Sequence, residues 1–441
     1  MRRFASIVGT VASLLLMPLA APSAARAQGE PTTKPGGLSG VISGSGFTKI
    51  KIAVPDPSSE PKLQATAREI AQTIRDDLAY SGYFEILDPT LYPLAATSPE
   101  ANLSEKWASL GAAAVALSKL TLASGRVDLR ARLLNTTPAT TLFDRRYGNP
   151  AELVRRVAHQ VADDIVQQLT GQPGIALTWI AFVSKHGAGK EVYMMDYDGQ
   201  RVRRITSTGS INLMPTWSPV AQRLAYMSWR TGAPAIDILE SDGRISRART
   251  AGGTMNISPD WSPDGRRLVY ASNASGNSEV YTMDLAAGTS VRLTNSPAID
   301  TSPSYSPKGR EIAFTSDRSG SPQIYVMDAE GLNARRLTTD DDYADAAAWS
   351  PKGDKIAYAT RHEGRFDVAV LDVATGATQR LTHGEGNNEN PRWSADGRHL
   401  VFASSRAGLY DLYTMRADGS DVRRLTRGGD CFTPDWSHRV P

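Results

Sequence analysis

The chain has 441 residues, more than one hydrophobic core usually organises, so two or more domains are expected. Apolar residues make up 41% and charged residues 22%, which suits a globular chain and excludes collagen, wholesale disorder and a multi-span membrane protein. The 49 basic and 46 acidic side chains leave a net charge of +3, supplied entirely by Arg2, Arg3 and Arg26; from Gln28 onward the signs balance. A balanced chain gives no electrostatic ground for binding nucleic acid or an anionic membrane.

Residues 1–27 read as a secretory signal peptide. Arg2 and Arg3 precede a mostly apolar run from Ile7 to Ala21, and Ala25-Arg26-Ala27 places cleavage between Ala27 and Gln28. That run is shorter than the roughly 20 apolar residues that span a bilayer, so export rather than membrane insertion is expected. Cys431 is the single cysteine, so no internal disulfide exists; it reads as a small buried hydrophobe, with an intermolecular bridge as the alternative. Residues 28–46 are rich in Gly, Ser, Pro and Thr and are predicted to be flexible, as a spacer or as a peptide that pairs with a partner.

Residues 47–171 alternate strand and helix patterns, the signature of an α/β domain. Ile50, Ile52 and Val54 recur at two residues, and Leu63, Ala67, Ile70, Ala71, Ile74 and Leu78 at three and four, predicting a strand followed by an amphipathic helix. Strands are predicted at 83–87, 112–120, 127–134 and 141–147. A last helix is expected to open with Asn149 as cap, Pro150 in its first turn and Glu152 as reciprocal acid. The segment after the first strand, Val54-Pro55-Asp56-Pro57, is unsuited to a phosphate-binding loop.

Residues 175–441 hold an internal repeat. Trp217, Trp261, Tyr305, Trp349, Trp393 and Trp436, each followed by Ser, mark one position six times at spacings of 44, 44, 44, 44 and 43 residues. Each aromatic is followed by a tight turn such as Asp264-Gly265, a strand such as Leu268-Val269-Tyr270, a second such as Val280-Tyr281-Thr282-Met283, and an Arg-Leu-Thr triplet. Four short strands per unit at this period predict a β-propeller. Only five residues follow Trp436, while three strands without their own aromatic precede Trp217. The C-terminal strand is therefore expected to join them in a composite blade, making six; an open stack would leave two exposed edges.

Five residues before each aromatic stand Asn212, Asn256, Asp300, Ala344, Asn388 and Cys431; the next position adds Thr301, Asp345 and Glu389, and Asp430 precedes Cys431. This polar ring is expected at one mouth of the central channel, where it would accept hydrogen bonds from an inserted partner loop, or else cap turns. An enzyme is disfavoured: there is no Gly-x-Ser-x-Gly elbow, and His159, His186, His362, His383, His399 and His438 form no His-Glu-x-x-His or close pair. Asp340-Asp341-Asp342 lacks the alternation of a calcium-binding loop.

The signal peptide, small α/β domain and six Trp-Ser-Pro-type blades, in that order, resemble the TolB family of the bacterial Tol-Pal system along the whole chain. The resemblance implies a monomeric, non-enzymatic periplasmic adaptor without a cofactor, in which calcium in the channel is an open alternative. It implies that the propeller binds the lipoprotein Pal and the N-terminal part binds TolA, with other outer-membrane proteins as further partners, in support of outer-membrane integrity and constriction at division. It places Met255, Asn256, Ser258 and Thr301 nearest the family's Pal contacts. The blade motif alone also occurs in propeller peptidases and in other periplasmic propellers, so a non-catalytic relative of those peptidases, or a small-molecule or sugar binder, is the rival reading.

Overall fold

A computed structural model describes residues 48–93 and 103–438. The signal peptide, the cleavage site at Ala27 and Gln28, and the segment 28–46 lie outside the described residues. Those described belong to one compact unit spanning Gly37–Pro441.

The N-terminal region is a five-stranded sheet, β1 (Ile50–Ala53), β2 (Phe84–Ile86), β3 (Ala114–Ala123), β4 (Arg126–Asn135) and β5 (Thr140–Pro150), in the order β2-β1-β3-β4-β5. β1 runs parallel to both β2 and β3, while β3, β4 and β5 form an antiparallel meander. Along β4, Val127, Leu129, Ala131 and Leu133 are buried and alternate with exposed residues, the period a one-sided sheet requires. That apolar face is covered by α1 (Gln64–Ser81) and α3 (Val154–Thr170), with Ile70, Ile74 and Leu78 meeting Val157, Val161 and Ile165 in a shared core. Both helices stop at a glycine in the left-handed region, Gly82 and Gly171, as a helix C-terminus commonly does. The sequence pattern missed α2 (Leu103–Ser109), whose Trp107 is fully buried against Ala53 and Val115 on the sheet's other face.

The start of α3 differs from expectation. Asn149 and Pro150 are the last residues of β5 and pair with Val127 and Arg126, so the β4 ladder claims them before the helix begins. A short 3₁₀ turn, Ala151–Leu153, intervenes, and no side chain caps α3.

Six four-stranded blades follow. Five are continuous, beginning at Asn212, Asn256, Asp300, Ala344 and Asn388; the sixth joins Cys431–Trp436 to Trp179–His186, Gly189–Asp196 and Arg203–Arg204. Closure is thus the expected composite blade, with Cys431 opposite Ser184 and Trp436 opposite Ile180. Each junction between neighbouring blades has its own apolar cluster; Trp261, for example, packs with Ala225, Ile236 and Ile238 of the blade before it.

The repeated motifs now have physical reasons. The Trp261 indole N–H donates to the Thr216 carbonyl of the preceding blade at 3.1 Å, and Trp393 does the same to Ala348 at 3.0 Å. The turn glycine lies under the previous blade's proline: a Cβ on Gly353 would stand 3.2 Å from Pro307, at φ 76°, so both space and backbone favour glycine. The threonine of Arg-Leu-Thr joins the outer edge of its blade to the third strand. Thr294 Oγ1 accepts from Val280 N at 2.9 Å and donates to the fully buried Glu279 at 2.5 Å, while Arg292 pairs with that carboxylate at 2.6 Å. Thr382 with Asp367 and Thr426 with Asp411 repeat the arrangement, and Gln323 replaces the acid beside Thr338.

The α/β region docks against turns of the fifth and sixth blades at the end of the channel where the aromatics lie. Tyr80, at the end of α1, stacks on His399 with ring centroids 4.3 Å apart, and the Arg398 guanidinium lies 4.0 Å from the Tyr83 ring centroid. Between them and the sixth blade is a buried polar cluster: Asp77 receives the Tyr197 hydroxyl at 2.5 Å and faces His159 Nδ1 at 2.8 Å. Burial pushes the Asp77 carboxyl up. Burial also pulls the His159 imidazole down, but the adjoining Asp77 charge and hydrogen bond outweigh it and leave the ring above its ordinary value. The connecting segment is pinned by Asp163, which accepts from the backbone N–H groups of Ala176 and Leu177.

Candidate functional site

The channel is built from the innermost strand of each blade, and one local irregularity shapes it. In every blade the ladder to the second strand breaks between the fourth and the first residue before the aromatic, a β-bulge. Three residues before the aromatic stand Met214, Ser258, Ser302, Ala346, Asn390 and Thr433, all with φ between 41° and 58°. Left-handed backbone is costly for residues with a Cβ, so its repetition in six blades marks a built feature. Except for Ala347, the residue that follows is proline, which has no N–H to lose where the ladder is open. These six side chains line a narrow collar enclosing about 40 Å³. Around it, Ser258 Oγ lies 3.3 Å from Met214 Sδ, and Met214 N donates to Thr433 Oγ1 at 3.3 Å.

On the aromatic side of the collar the channel widens to a chamber of about 420 Å³ bordered by the Trp-Ser-Pro segments. Its inward residues are Thr216, Asp260, Ser304, Ala348, Arg392 and Asp435. Asp260 accepts from Tyr305 N at 2.8 Å and Asp435 from Trp217 N at 2.7 Å, so each acid fastens the next blade's backbone. Burial lifts the Asp435 carboxyl to about 7, opposed by Arg392 at 3.5 Å and reinforced by the charge of Asp260. A cation, Arg392, already faces this acid pair, and among the described residues no three His, Cys, Asp or Glu side chains converge. The acidic run is likewise engaged, with Asp341 accepting from Tyr358 at 2.8 Å and Thr360 at 2.7 Å.

On the other side of the collar is the mouth where the polar ring was expected. The structure places the ring there but turns its first layer inward. Asn212, Asp300 and Asn388 are fully buried and Asn256 is 4% exposed. Asn212 donates to Glu191 and Thr208, Asn388 donates to the Asp367 carboxylate, and Asp300 pairs with Arg318 at 2.7 Å. Asn212 and Asn388 thus join neighbouring blades, while Asp300 is held by an arginine of its own blade. Thr301 and Glu389, one residue later, are half-buried at the mouth, as are Met255 and Asp430 on its rim and Ser258 in the collar. Cys431, in the ring position of the sixth blade, is 7% exposed and burial pushes its thiol up. Composition alone missed Leu213, Ile257 and Phe432, which share the level of Thr301 and Glu389, and the exposed Ile211 and Trp229 beside them. The proline two before five of the six aromatics was the available signal, because it marks the bulge that reverses the side-chain alternation.

Two buried acid–histidine pairs occur among the described residues: Asp77 with His159, sealed between the two regions at 6% and 2% exposure, and Asp396 with His399 at 3.9 Å, where the α/β region docks on the fifth blade. Among the described residues no helix is long and apolar enough to cross a membrane.

Comparison with known proteins matches both regions in chain order. The TolB amino-terminal domain model covers residues 40–142, and the TolB beta propeller domain model covers residues 166–378 and 344–440. The chain is 40% identical over 191 residues to the Tol-Pal system protein TolB of Geobacter sulfurreducens, covering 42% of this chain and 43% of that protein. It is 34% identical over 196 residues to the TolB of Bordetella avium, covering 44% of this chain and 43% of that one. These alignments span less than half the length of either relative. The crystal structure of TolB from Acinetobacter baumannii superposes with a TM-score of 0.77 at 29% identity, covering 88% of this chain and 97% of that one. With the two domain models accounting for most of its length, the chain belongs to the TolB family.

Proposed function

We propose that the protein is a non-catalytic periplasmic adaptor of the Tol-Pal system. In this reading the channel mouth docks the lipoprotein Pal, the N-terminal part engages TolA, and the complex supports outer-membrane integrity and constriction at division. The observation that carries it is the mouth itself. Half-buried side chains that differ from blade to blade surround a collar enclosing only about 40 Å³, on the face away from the α/β region. Such a surface suits a loop that inserts and stops, not a substrate that turns over. The similarity to proteins named for the Tol-Pal system supports the same reading. Titration calorimetry with the soluble domains of the same organism's Pal and TolA tests it. Both are expected to bind; deletion of residues 28–46 should weaken TolA and spare Pal, and Thr301→Arg the reverse. A folded protein that binds neither domain would overturn the proposal.

A further inference from the structure

The mouth is divided into two chemically different halves that follow blade order. Four residues before the aromatic, the sixth, first and second blades carry Phe432, Leu213 and Ile257, whereas the third, fourth and fifth carry Thr301, Asp345 and Glu389. All six are half-buried. The apolar half continues outward through Ile211 and Trp229, 41% and 42% exposed, so large apolar surface is left facing water.

The acidic half is unusual in what it lacks. Several buried acids of the propeller are matched with arginine: Asp237 with Arg247 at 2.5 Å, Asp300 with Arg318 at 2.7 Å, Asp411 with Arg424 at 2.5 Å; Glu191, bonded to Thr206 and Asn212, is not. Asp345 and Glu389 receive only neutral donors, the Ala346 backbone N–H at 2.6 Å on Asp345 among them. Thr315 donates to Asp345 at 2.8 Å and Tyr343 at 3.4 Å, while the Tyr410 hydroxyl donates to Glu389. Among the described residues neither carboxylate enters an ion pair within 4.0 Å. Tyr410 also marks the boundary between the halves, its ring 5.3 Å from that of Phe432. The neutral donors hold the two carboxylates in place without a direct ionic partner; the nearby cations Lys190 and Arg361 lie over the Phe432 and Tyr343 rings, at 4.4 and 5.8 Å from their centroids.

We propose that the mouth selects a protein segment carrying a large apolar side chain beside a basic one, the Lys or Arg meeting Asp345 and Glu389 and the apolar group lying against Phe432, Leu213 and Ile257. This rests on the reading that the mouth docks a partner, and it names that partner's chemistry. Half-buried carboxylates reward a cation strongly because the surrounding dielectric is low, and they repel an acidic segment, so the arrangement supplies specificity as well as affinity.

The test uses the soluble Pal domain as probe, titrated into the full chain between about 50 and 300 mM salt. Asp345→Asn with Glu389→Gln keeps acceptors for Thr315, Tyr343 and Tyr410, so folding should persist, as a thermal melt will verify. That variant is expected to bind about tenfold or more weakly and to lose most of the salt dependence. Leu213→Ala with Phe432→Ala should weaken binding to a similar degree while keeping the wild-type salt slope. If the wild type binds and the amide variant matches it in affinity and slope, the two-sided mouth is wrong while docking stands. If the wild type itself fails to bind the probe, docking at this surface falls, and the two-sided selection falls with it.

Discussion

The two ends of the channel are made by the same strands and obey different rules. At the aromatic end every blade repeats Trp or Tyr and then Ser, and Gly309, Gly353 and Gly397 add a glycine turn under the neighbouring proline. At the mouth the equivalent level reads Leu213, Ile257, Thr301, Asp345, Glu389 and Phe432, with no residue used twice. The collar between them shares a backbone conformation across all six blades, while of its side chains only serine recurs, at Ser258 and Ser302. Repetition therefore tracks what blades need from each other, and variation tracks what they offer to something else. The polar ring at the base of the mouth belongs with the repeated side, because Asn212 and Asn388 are spent on inter-blade bonds and Asp300 on an arginine of its own blade.

That contrast predicts unequal costs. Trp261→Ala removes a 4% exposed indole and its bond to Thr216, and should cost about 3–5 kcal/mol in denaturant unfolding. A loss below about 1 kcal/mol would mean that the aromatic end does not hold the blades. Glu279→Ala strips a fully buried carboxylate from Arg292 and Thr294 and should cost about 3 kcal/mol. Glu279→Gln should cost much less, because the third blade already uses Gln323 in that place.

The chamber adds a pH dependence. Asp435 titrates at about 7 in the folded protein against an ordinary value of 3.8, so the folded state keeps a proton that the unfolded chain gives up. Stability from this group is complete below about pH 4 and lost as pH rises to 7, at about 1.4 kcal/mol per pKa unit. Asp435→Asn, which keeps an acceptor for Trp217 N–H, should flatten the fall in Tm across that window. Asp260, also pushed up by burial, will keep part of the slope. An unchanged slope would remove Asp435 as its source. The smallest change is expected at the mouth: Thr301→Arg should leave stability within about 0.5 kcal/mol while affecting docking. A large loss of stability there would make the mouth structural after all.

Most of the architecture was legible because it rests on spacing. A 44-residue period with one aromatic per unit gave six blades, and the three strands that precede Trp217 without an aromatic of their own gave the composite closure. What was not legible depended on direction. Residue type placed Asn212, Asn256, Asp300 and Asn388 at the mouth, but the bulge downstream of them decides which side chains face in, and no glycine announces it. Asn149, Pro150 and Glu152 made a plausible capping box that lost to strand pairing with β4, a tertiary choice that a local motif does not encode. The docking of α1 onto His399 joins residues 319 apart and had no sequence signal.

The most direct test is hydrogen–deuterium exchange on the full chain with and without the Pal domain, since it reports which end of the channel is covered. Protection is expected in segments 211–214, 255–258, 299–302, 343–346, 387–390 and 430–433, with the turns around 395–399 and the end of α1 unchanged. Protection confined to those turns and to α1, with the mouth segments exchanging as in the free protein, would contradict the account.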